Sequence, residues 1–223
     1  MKRTIATSLA AFLSASAAYA ETAPKGQWDG TYAGIHAGVG FGDMDSVCTF
    51  GDFGCPDPSA ISVDTSGPFI GAQIGLNRQI SDRLVVGLES DVSFSDISGD
   101  NFFGGKAASS QLDMFGTIRA RAGVLIRPNT LLYATGGLAW GDWNDRVTML
   151  GETNSFSGVD WGWTVGGGVE TYLSDTLSVK FEYLYLDFGD KSRQWTDGFG
   201  GQGTMDIDHQ IHTLRLGVNY KLW

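Results

Sequence analysis

The sequence is poor in the features that mark helical membrane proteins, disulfide-rich domains and nucleic-acid-binding proteins. Among its 223 residues are only 2 cysteines and 5 prolines, and 15 Lys and Arg stand against 25 Asp and Glu. A net charge of −10 offers no basic surface to DNA or RNA, so we expect no nucleic-acid partner. Beyond the N-terminal region, no stretch approaches the roughly 18 consecutive apolar residues of a transmembrane helix. Any membrane insertion of the mature chain must therefore use strands.

The N-terminus has the pattern of a secretory signal peptide. A basic start and an apolar stretch are followed by Ala18-Tyr19-Ala20, a small-x-small cleavage site. We expect a signal peptide over residues 1–20 with cleavage after Ala20, a flexible segment over 21–27, and one domain over 28–223. The mature chain is more acidic still, because the signal peptide carries two of the basic residues.

The two cysteines, Cys48 and Cys55, lie in an aspartate-rich segment over residues 42–67. They form neither a CxxC motif nor a zinc-type Cys/His spacing. After export they meet an oxidising compartment, so we expect a Cys48–Cys55 disulfide, with two unpaired thiols as the alternative. We expect the acidic segment to be a solvated loop. The alternative is that divalent cations bridge its carboxylates to lipid phosphates. The segment has no EF-hand spacing, so we predict no metal site.

What the sequence has in abundance is a period of two. In segment 110–126, for example, Leu112, Ile118 and Ala120 fall on one face, while Arg119 and Arg121 fall on the other. A period of two predicts a β-strand. The eight segments with this pattern are 30–41, 68–79, 84–96, 110–126, 131–142, 161–172, 177–188 and 208–222.

The residues on the polar face indicate which face is inside. Glycines recur there, among them Gly75, Gly87 and Gly217. On a water-exposed surface they would only weaken the strands, whereas inside a narrow barrel they leave room for long charged side chains. We therefore predict that the apolar face contacts lipid. The expected fold is all-β, an eight-stranded antiparallel up-and-down transmembrane β-barrel.

Short and long connections alternate between these segments. The short turns are 79–83, 127–130 and 173–176, and the long connections are 42–67, 97–109, 143–160 and 189–207. In outer-membrane barrels the short turns are periplasmic. We therefore predict three short periplasmic turns, four longer extracellular loops and a location in the bacterial outer membrane.

Aromatic residues gather near the predicted strand ends. Trp and Tyr favour membrane interfaces, where the ring is apolar and the N–H or O–H stays hydrated. The residues expected there are Trp140, Trp143, Trp161, Trp163, Tyr172, Tyr183, Tyr185 and Tyr220.

Four sequence runs resemble small outer-membrane barrel proteins of alphaproteobacteria, including opacity-type and porin-like surface antigens. They are 131–141 (LLYATGGLAWG), 162–170 (GWTVGGGVE), 180–185 (KFEYLY) and 214–222 (LRLGVNYKL). The resemblance covers about residues 28–222 and implies the fold of the OmpA transmembrane domain, contact with lipid and lipopolysaccharide, immunogenicity, and assembly by the outer-membrane insertion machinery. One departure is that Leu222, rather than an aromatic residue, ends the outward face, and Trp223 overhangs it.

Charged residues on the polar face predict an ion-pair network inside the barrel. Counting depth along adjacent strands predicts four pairs: Glu89 with Arg121, Asp91 with Arg119, Glu170 with Lys180, and Glu182 with Arg215. The eight charges sum to zero, as burial requires. Two interpretations stay open: the network blocks the lumen as a gate, or it only packs a closed core.

No catalytic constellation is evident. His36 falls on the inward face, where a hydrogen-bonded interior role is the simplest reading, and His209 and His212 fall on opposite faces of the last segment. GxSxG and the His-x-Ser arrangement of lipid A deacylase barrels are absent from the sequence. We predict no enzyme, cofactor or metal site, but a structural and surface-interaction barrel that contributes to envelope integrity. A small-solute channel and loop-mediated ligand or host binding are the alternatives, and a lipid-modifying enzyme is the least favoured.

Overall fold

The computed structural model describes residues 26–49, 61–103, 106–149, 152–196 and 202–222. The predicted signal peptide, its cleavage site at Ala20 and the beginning of segment 21–27 lie outside them. Within these ranges, no helix is long and apolar enough to cross a membrane. The strands are β1 (Gly30–Thr49), β2 (Ile61–Gln79), β3 (Leu84–Phe103), β4 (Lys106–Arg127), β5 (Thr130–Met149), β6 (Glu152–Tyr172), β7 (Leu177–Asp187), β8 (Lys191–Thr196) and β9 (Gln202–Lys221).

Eight of these strands form a ring. Strands β1 to β7 pair in sequence order, and β9 pairs with β7 on one side and with β1 on the other, always antiparallel. Short turns at 80–83, 128–129 and 173–176 join β2 to β3, β4 to β5 and β6 to β7. The predicted all-β, up-and-down antiparallel barrel is therefore confirmed, with one short strand in addition to the predicted eight.

The additional strand, β8, continues the direction of β7 after a break at residues 188–190. At this break Gly189 has a φ of +64°, and its N–H donates to the Asp187 carboxylate at 2.9 Å. Left-handed backbone of this kind favours glycine. Beyond the break, β8 pairs with β9. The described pairing of β6 with β7 ends below the break, at Trp163 opposite Asp187.

The strands extend well beyond the predicted segments, so the predicted bounds of the long loops were wrong. Only residues 104–105 separate β3 from β4, and only 150–151 separate β5 from β6. Strands of about 20 residues rise roughly 65 Å along their own axes, or about 50 Å along a barrel axis at the usual tilt. The apolar band of such barrels is only about 25 Å tall. The barrel therefore projects from the membrane on the side opposite the short turns.

The polarity of the two faces reverses in the projecting part. In the membrane part the outward side chains are apolar, and Ile35, Ile74, Leu88, Ile118 and Leu216 are each more than half exposed. In the projecting part the interior contains a cluster of buried apolar side chains, namely Met44, Val63, Ala108, Val147 and Ile207, beside the buried polar residues Ser110, Asp145 and His209. Outward side chains at that level are polar, as at Asp43, Asp64, Asn144 and Arg146. The projecting wall thus has the polarity of a soluble barrel.

A bulge in β4 changes which residues face the lumen. Leu112 was predicted to point to lipid, which is wrong, because it is 1% exposed and belongs to an interior cluster. The register against β5 shifts between Leu112 and Met114, and the register of β3 against β4 shifts between Phe94 and Ile97. An extra residue in a strand reverses the facing of all residues beyond it.

The aromatic residues divide between the two faces. Trp161, Trp163, Tyr183 and Tyr220 are exposed on the outer face, and Trp140 and Tyr185 are half-buried. Trp143 and Tyr172 were predicted at the interface, which is wrong, because both are buried in the lumen. Trp143 and Tyr172 lie two residues from the inward-facing Asp145 and Glu170, so strand alternation points them into the lumen. Their position near a strand end therefore does not place them at the membrane interface.

Candidate functional site

The structure brings all eight predicted charged residues together in the lumen. They project from the inward positions of β3, β4, β6, β7 and β9, and none is more than 6% exposed. They are Glu89, Asp91, Arg119, Arg121, Glu170, Lys180, Glu182 and Arg215. We refer to these eight residues as the charged layer.

The register between β3 and β4 differs from the prediction by two residues. Glu89 lies opposite Arg119, not Arg121, and Asp91 lies opposite Thr117, not Arg119. The predicted levels were therefore wrong, although both predicted pairs still form diagonally, Asp91 with Arg119 at 3.0 Å and Glu89 with Arg121 at 3.6 Å. Closure of a barrel requires a stagger between neighbouring strands, which counting depth from the strand ends omitted.

The other two predicted levels agree with the register. Glu170 lies opposite Lys180, and Glu182 lies opposite Arg215. The predicted ion pair between Glu170 and Lys180 is nevertheless wrong, because Glu170 pairs with Arg121 and Lys180 pairs with Glu89. The short turn at 173–176 fixes the first of these levels, because the length of a tight turn sets hairpin register. Glu182 and Arg215 approach to 3.7 Å.

Arg119 is the centre of the charged layer. Its guanidinium lies 2.5 Å from Glu89, 3.0 Å from Asp91 and 3.1 Å from Glu182. Arg215 lies 3.3 Å from Asp91 on the other side of that carboxylate. Two guanidinium groups thus share the carboxylates of β3 and β7, and each buried charge has an opposite charge beside it, as burial requires.

Lys180 crosses the lumen. Its ammonium donates to both carboxylate oxygens of Glu89, at 2.7 and 2.8 Å, although its backbone lies opposite Glu170. In the ring of eight, β3 and β7 are separated by three strands on either side. This contact therefore joins opposite walls. Gly217, whose Cβ position lies 3.1 Å from two Lys180 side-chain carbons, gives the side chain its path, as the predicted role of the inward glycines requires.

Arg121 and Glu170 form the lower part of the charged layer. The guanidinium of Arg121 lies 2.6 Å from Glu170 and 3.6 Å from Glu89, and it stacks over the Tyr133 ring at 4.2 Å. Glu170 also accepts hydrogen bonds from Ser178 at 2.6 Å and from Asn219 at 2.9 Å. Such additional donors satisfy the carboxylate oxygens that the ion pair leaves free.

Two tyrosines belong to this site that the sequence analysis missed. The Tyr32 hydroxyl donates to Glu89 at 2.7 Å and accepts from Arg121 at 3.0 Å. The Tyr133 hydroxyl donates to Glu182 at 2.9 Å. Both residues occupy inward positions of their strands, so the period of two already contained this signal.

Buried apolar clusters lie above and below the charges in the lumen. Above lies a cluster of ten buried side chains that includes Phe69, Phe115, Trp143 and Phe188. Below, Trp28 packs edge-on against Tyr172, and its indole N–H donates to the Pro128 carbonyl at 3.1 Å. Trp28 precedes β1 and is buried at the periplasmic end of the barrel.

The histidines lie apart from one another. His36 is buried, bonded to Gln73 and 2.8 Å from the Ser93 hydroxyl. His209 stacks on Trp143 and lies 3.4 Å from Asp145, whereas His212 faces outward and lies 2.7 Å from the Tyr183 hydroxyl. His209 and His212 thus occupy opposite faces, as predicted. Within the described ranges, no group of three His, Cys, Asp or Glu side chains is placed to hold a metal ion. Cys55 lies outside the described residues, so the Cys48–Cys55 disulfide stays a prediction.

Comparison with known proteins agrees with this architecture. The family described as the outer membrane protein beta-barrel domain matches residues 6–221. The chain belongs to this outer-membrane β-barrel family. This match, together with the curated relatives described next, confirms the resemblance to alphaproteobacterial surface proteins.

Curated relatives of this outer-membrane β-barrel protein cover nearly its whole length. It is 30% identical to the 31 kDa outer-membrane immunogenic protein of Brucella melitensis, over 99% of this chain and 100% of that protein. It is 31% identical to the 22 kDa outer membrane protein of Rhizobium leguminosarum, over 89% of this chain and 80% of that protein. The protein is therefore located in the outer membrane, in contact with its lipids, and its family is one of surface antigens.

A solved structure shares the fold. The outer membrane protein OprG of Pseudomonas aeruginosa superposes with a TM-score of 0.55, covering 89% of this chain and 100% of that chain at 11% identity. This similarity concerns the fold alone.

Proposed function

We propose that this protein is a structural and surface-interaction barrel with a closed lumen, which contributes to envelope integrity and has no enzymatic activity. The observation that carries the proposal is the contact of Lys180 on β7 with Glu89 on β3, at 2.7 Å across the barrel. A contact between opposite walls obstructs the lumen at that level, which favours a closed barrel over a small-solute channel. Of the two interpretations of the charged layer, packing of a closed core is favoured over a gate.

The neighbouring layers support a permanent closure. The aromatic cluster with Phe115 and Trp143 lies on one side of the charges, and Trp28 with Tyr172 lies on the other. Eight-stranded barrels leave an interior that side chains can just fill. A small-solute channel would need both apolar layers and the charged layer to move together.

The projecting wall supports a role at the cell surface. Outward residues such as Asp43 and Asn144 are polar, and the interior contains the apolar cluster around Met44, so this part of the barrel has the polarity of a protein folded in water. Surface contacts, including those with a host or a ligand, would use this wall and the connections above it. Assembly by the outer-membrane insertion machinery is part of the same proposal.

Planar-bilayer recording tests the closed lumen. The folded protein, verified by its heat-modifiable gel mobility, is expected to add no conductance steps to the bilayer. A variant with Phe115→Ala and Trp143→Ala thins one apolar layer but keeps the charged layer, so it is expected to stay closed as well. Discrete conductance steps from the folded parent protein would contradict the proposal. Its contribution to the envelope is measured as the detergent sensitivity of a deletion strain, which the parent gene is expected to reverse.

A further inference from the structure

A polar groove lies on the outer wall of the projecting part. It encloses about 330 Å³ and spans β3, β4, β5 and β6. Its lower row is formed by Gln111 and Asn144, which lie opposite each other, flanked by Ser98 and Ser157. Its volume is at the small end of ligand cavities, which start at about 300 Å³.

The upper row of the groove carries its charges. Asp100 lies opposite Ser109, Ser109 opposite Arg146, and Arg146 opposite Ser155. In the part of the chain that the structure describes, the side chains of Asp100, Gln111 and Arg146 have no hydrogen-bond or ion-pair partner. One carboxylate, one guanidinium, two amides and four hydroxyls thus surround one concave space.

The bulge of β4 lies at the lower edge of this groove. The register shifts on both sides of it, opposite Phe94 and Ile97 of β3 and between Leu112 and Met114 of β4, directly below the lower row. A bulge bends its strand and increases the local twist. The wall is therefore irregular at the level where the groove begins.

The height of the groove above the hydrocarbon core indicates which part of a lipid molecule can reach it. Ser98 is four residues beyond the lipid-facing Phe94, and Asn144 is four residues beyond Trp140. Four residues rise about 13 Å along a strand and about 10 Å along the membrane normal at the usual tilt. The headgroup region adds only about 5 to 8 Å on each side of the hydrocarbon core. The groove therefore begins where the sugars of an outer-leaflet glycolipid lie, above its acyl chains and its innermost phosphates.

We propose that this groove binds the core oligosaccharide of lipopolysaccharide in the surrounding outer leaflet. Amide, carboxylate and guanidinium groups can donate to and accept from sugar hydroxyls, and the small serines leave space for a sugar ring. The contact is continuous with the lipid-facing surface below it, so the same molecule can occupy both. This inference goes beyond the closed-lumen proposal and depends only on which end of the barrel faces outward.

The experiment measures calorimetric binding of acyl-free core oligosaccharide, released from lipopolysaccharide by mild acid, to the folded protein in detergent. Saturable binding by the parent protein is expected. Ser157→Trp fills the groove and is expected to weaken binding by about tenfold or more, since the indole excludes the sugar. Gln210→Trp, an outward position on β9 away from the groove, is the matched control and is expected to bind like the parent.

Three results would overturn the proposal: no saturable binding by the parent, the same affinity in Ser157→Trp as in the parent, or equal losses in Ser157→Trp and Gln210→Trp. If gel mobility shows that Ser157→Trp does not fold, Arg146→Ala replaces it, since this exposed side chain has no described partner to lose. Parent-like affinity in Arg146→Ala would then overturn the proposal. None of these binding results would affect the closed-lumen proposal, because that proposal is tested separately by conductance.

Discussion

Arg119 on β4 lies directly opposite Glu89 on β3, and the two side chains meet at 2.5 Å. Glu89 also receives Lys180 from the opposite wall at 2.7 Å. The Glu89 carboxylate thus links the neighbouring strand β4 to β7 on the opposite wall. Glu89 therefore takes part both in the pairing of β3 with β4 and in the proposed closure of the lumen.

The contact across the lumen predicts a non-additive pair of substitutions. Lys180→Met leaves the charged layer with one excess negative charge, and breaking a buried pair in this way costs about 3 to 5 kcal/mol of unfolding free energy. The double variant Lys180→Met/Glu89→Gln restores neutrality. We therefore expect its loss of unfolding free energy to be smaller than the sum of the losses of the two single variants. Urea unfolding in detergent measures all three variants. Strictly additive losses would show that the two side chains do not meet.

The lipid face predicts a penalty for charge at the middle of the membrane. Ile118 on β4 points outward and is 56% exposed. Ile118→Arg is expected to cost about 2 to 4 kcal/mol when the protein is folded into lipid bilayers, whereas Ile118→Leu changes little. Gln210→Arg, outward in the projecting part, is the control and should unfold like the parent. An Ile118→Arg variant as stable as that control would invert the assignment of faces.

The break between β7 and β8 predicts a specific need for glycine. Gly189 has a φ of +64°, and a Cβ added there meets nothing within 4 Å, so conformation rather than space is the constraint. Gly189→Ala should destabilise the protein by about 1 kcal/mol, and Gly189→Asn by less, because asparagine tolerates left-handed backbone better. Unfolding free energies of the two variants provide the comparison. Equal stability of Gly189→Ala and the parent would argue against the left-handed break.

A carboxylate pair predicts a pH dependence in the projecting part. Asp43 lies opposite Asp64, and partial burial, followed by its hydrogen bond with Asp64 and the repulsion between them, raises the pKa of Asp43. A carboxyl whose pKa is higher in the folded than in the unfolded state stabilises the fold when it is protonated. That contribution is lost as the pH rises from the unfolded pKa through the raised folded pKa.

Asp43→Asn removes the repulsion and is therefore expected to raise stability at neutral pH and to reduce the loss between acidic and neutral pH. The measurement is urea unfolding of the parent and the variant at several pH values. Asp82→Asn, in the exposed turn before β3, is the control and should leave the pH profile unchanged. A profile for Asp43→Asn that matches the parent would contradict the prediction.

The period of two was sufficient for the class of fold and for most of the lipid face. Ile118 and Ala120 point outward and Arg119 and Arg121 point inward because strand geometry alternates regardless of the neighbours. The same rule identified every member of the charged layer. It did not identify partners, because alternation defines a face and not a height.

The extent of the strands could not be read from the pattern. In the segments predicted as long loops the outward residues are polar, as at Asp43 and Asn144, so a criterion based on lipid-facing residues ended each strand at the membrane surface. The strands continue because inward residues such as Met44 and Val147 bury apolar surface in the projecting part. The alternation persists there with its polarity reversed.

By itself, the sequence determined that the chain is a barrel in a membrane, which charged residues form the charged layer, and that these eight charges balance. These are local or additive properties, set by the alternation of side chains and by composition. The tertiary structure decided the stagger that pairs Glu89 with Arg119, the bulge in β4 that turns Leu112 inward, and the reach of Lys180 across the lumen. Those depend on how eight strands close on one another, because ring closure fixes the relative height of every strand at once.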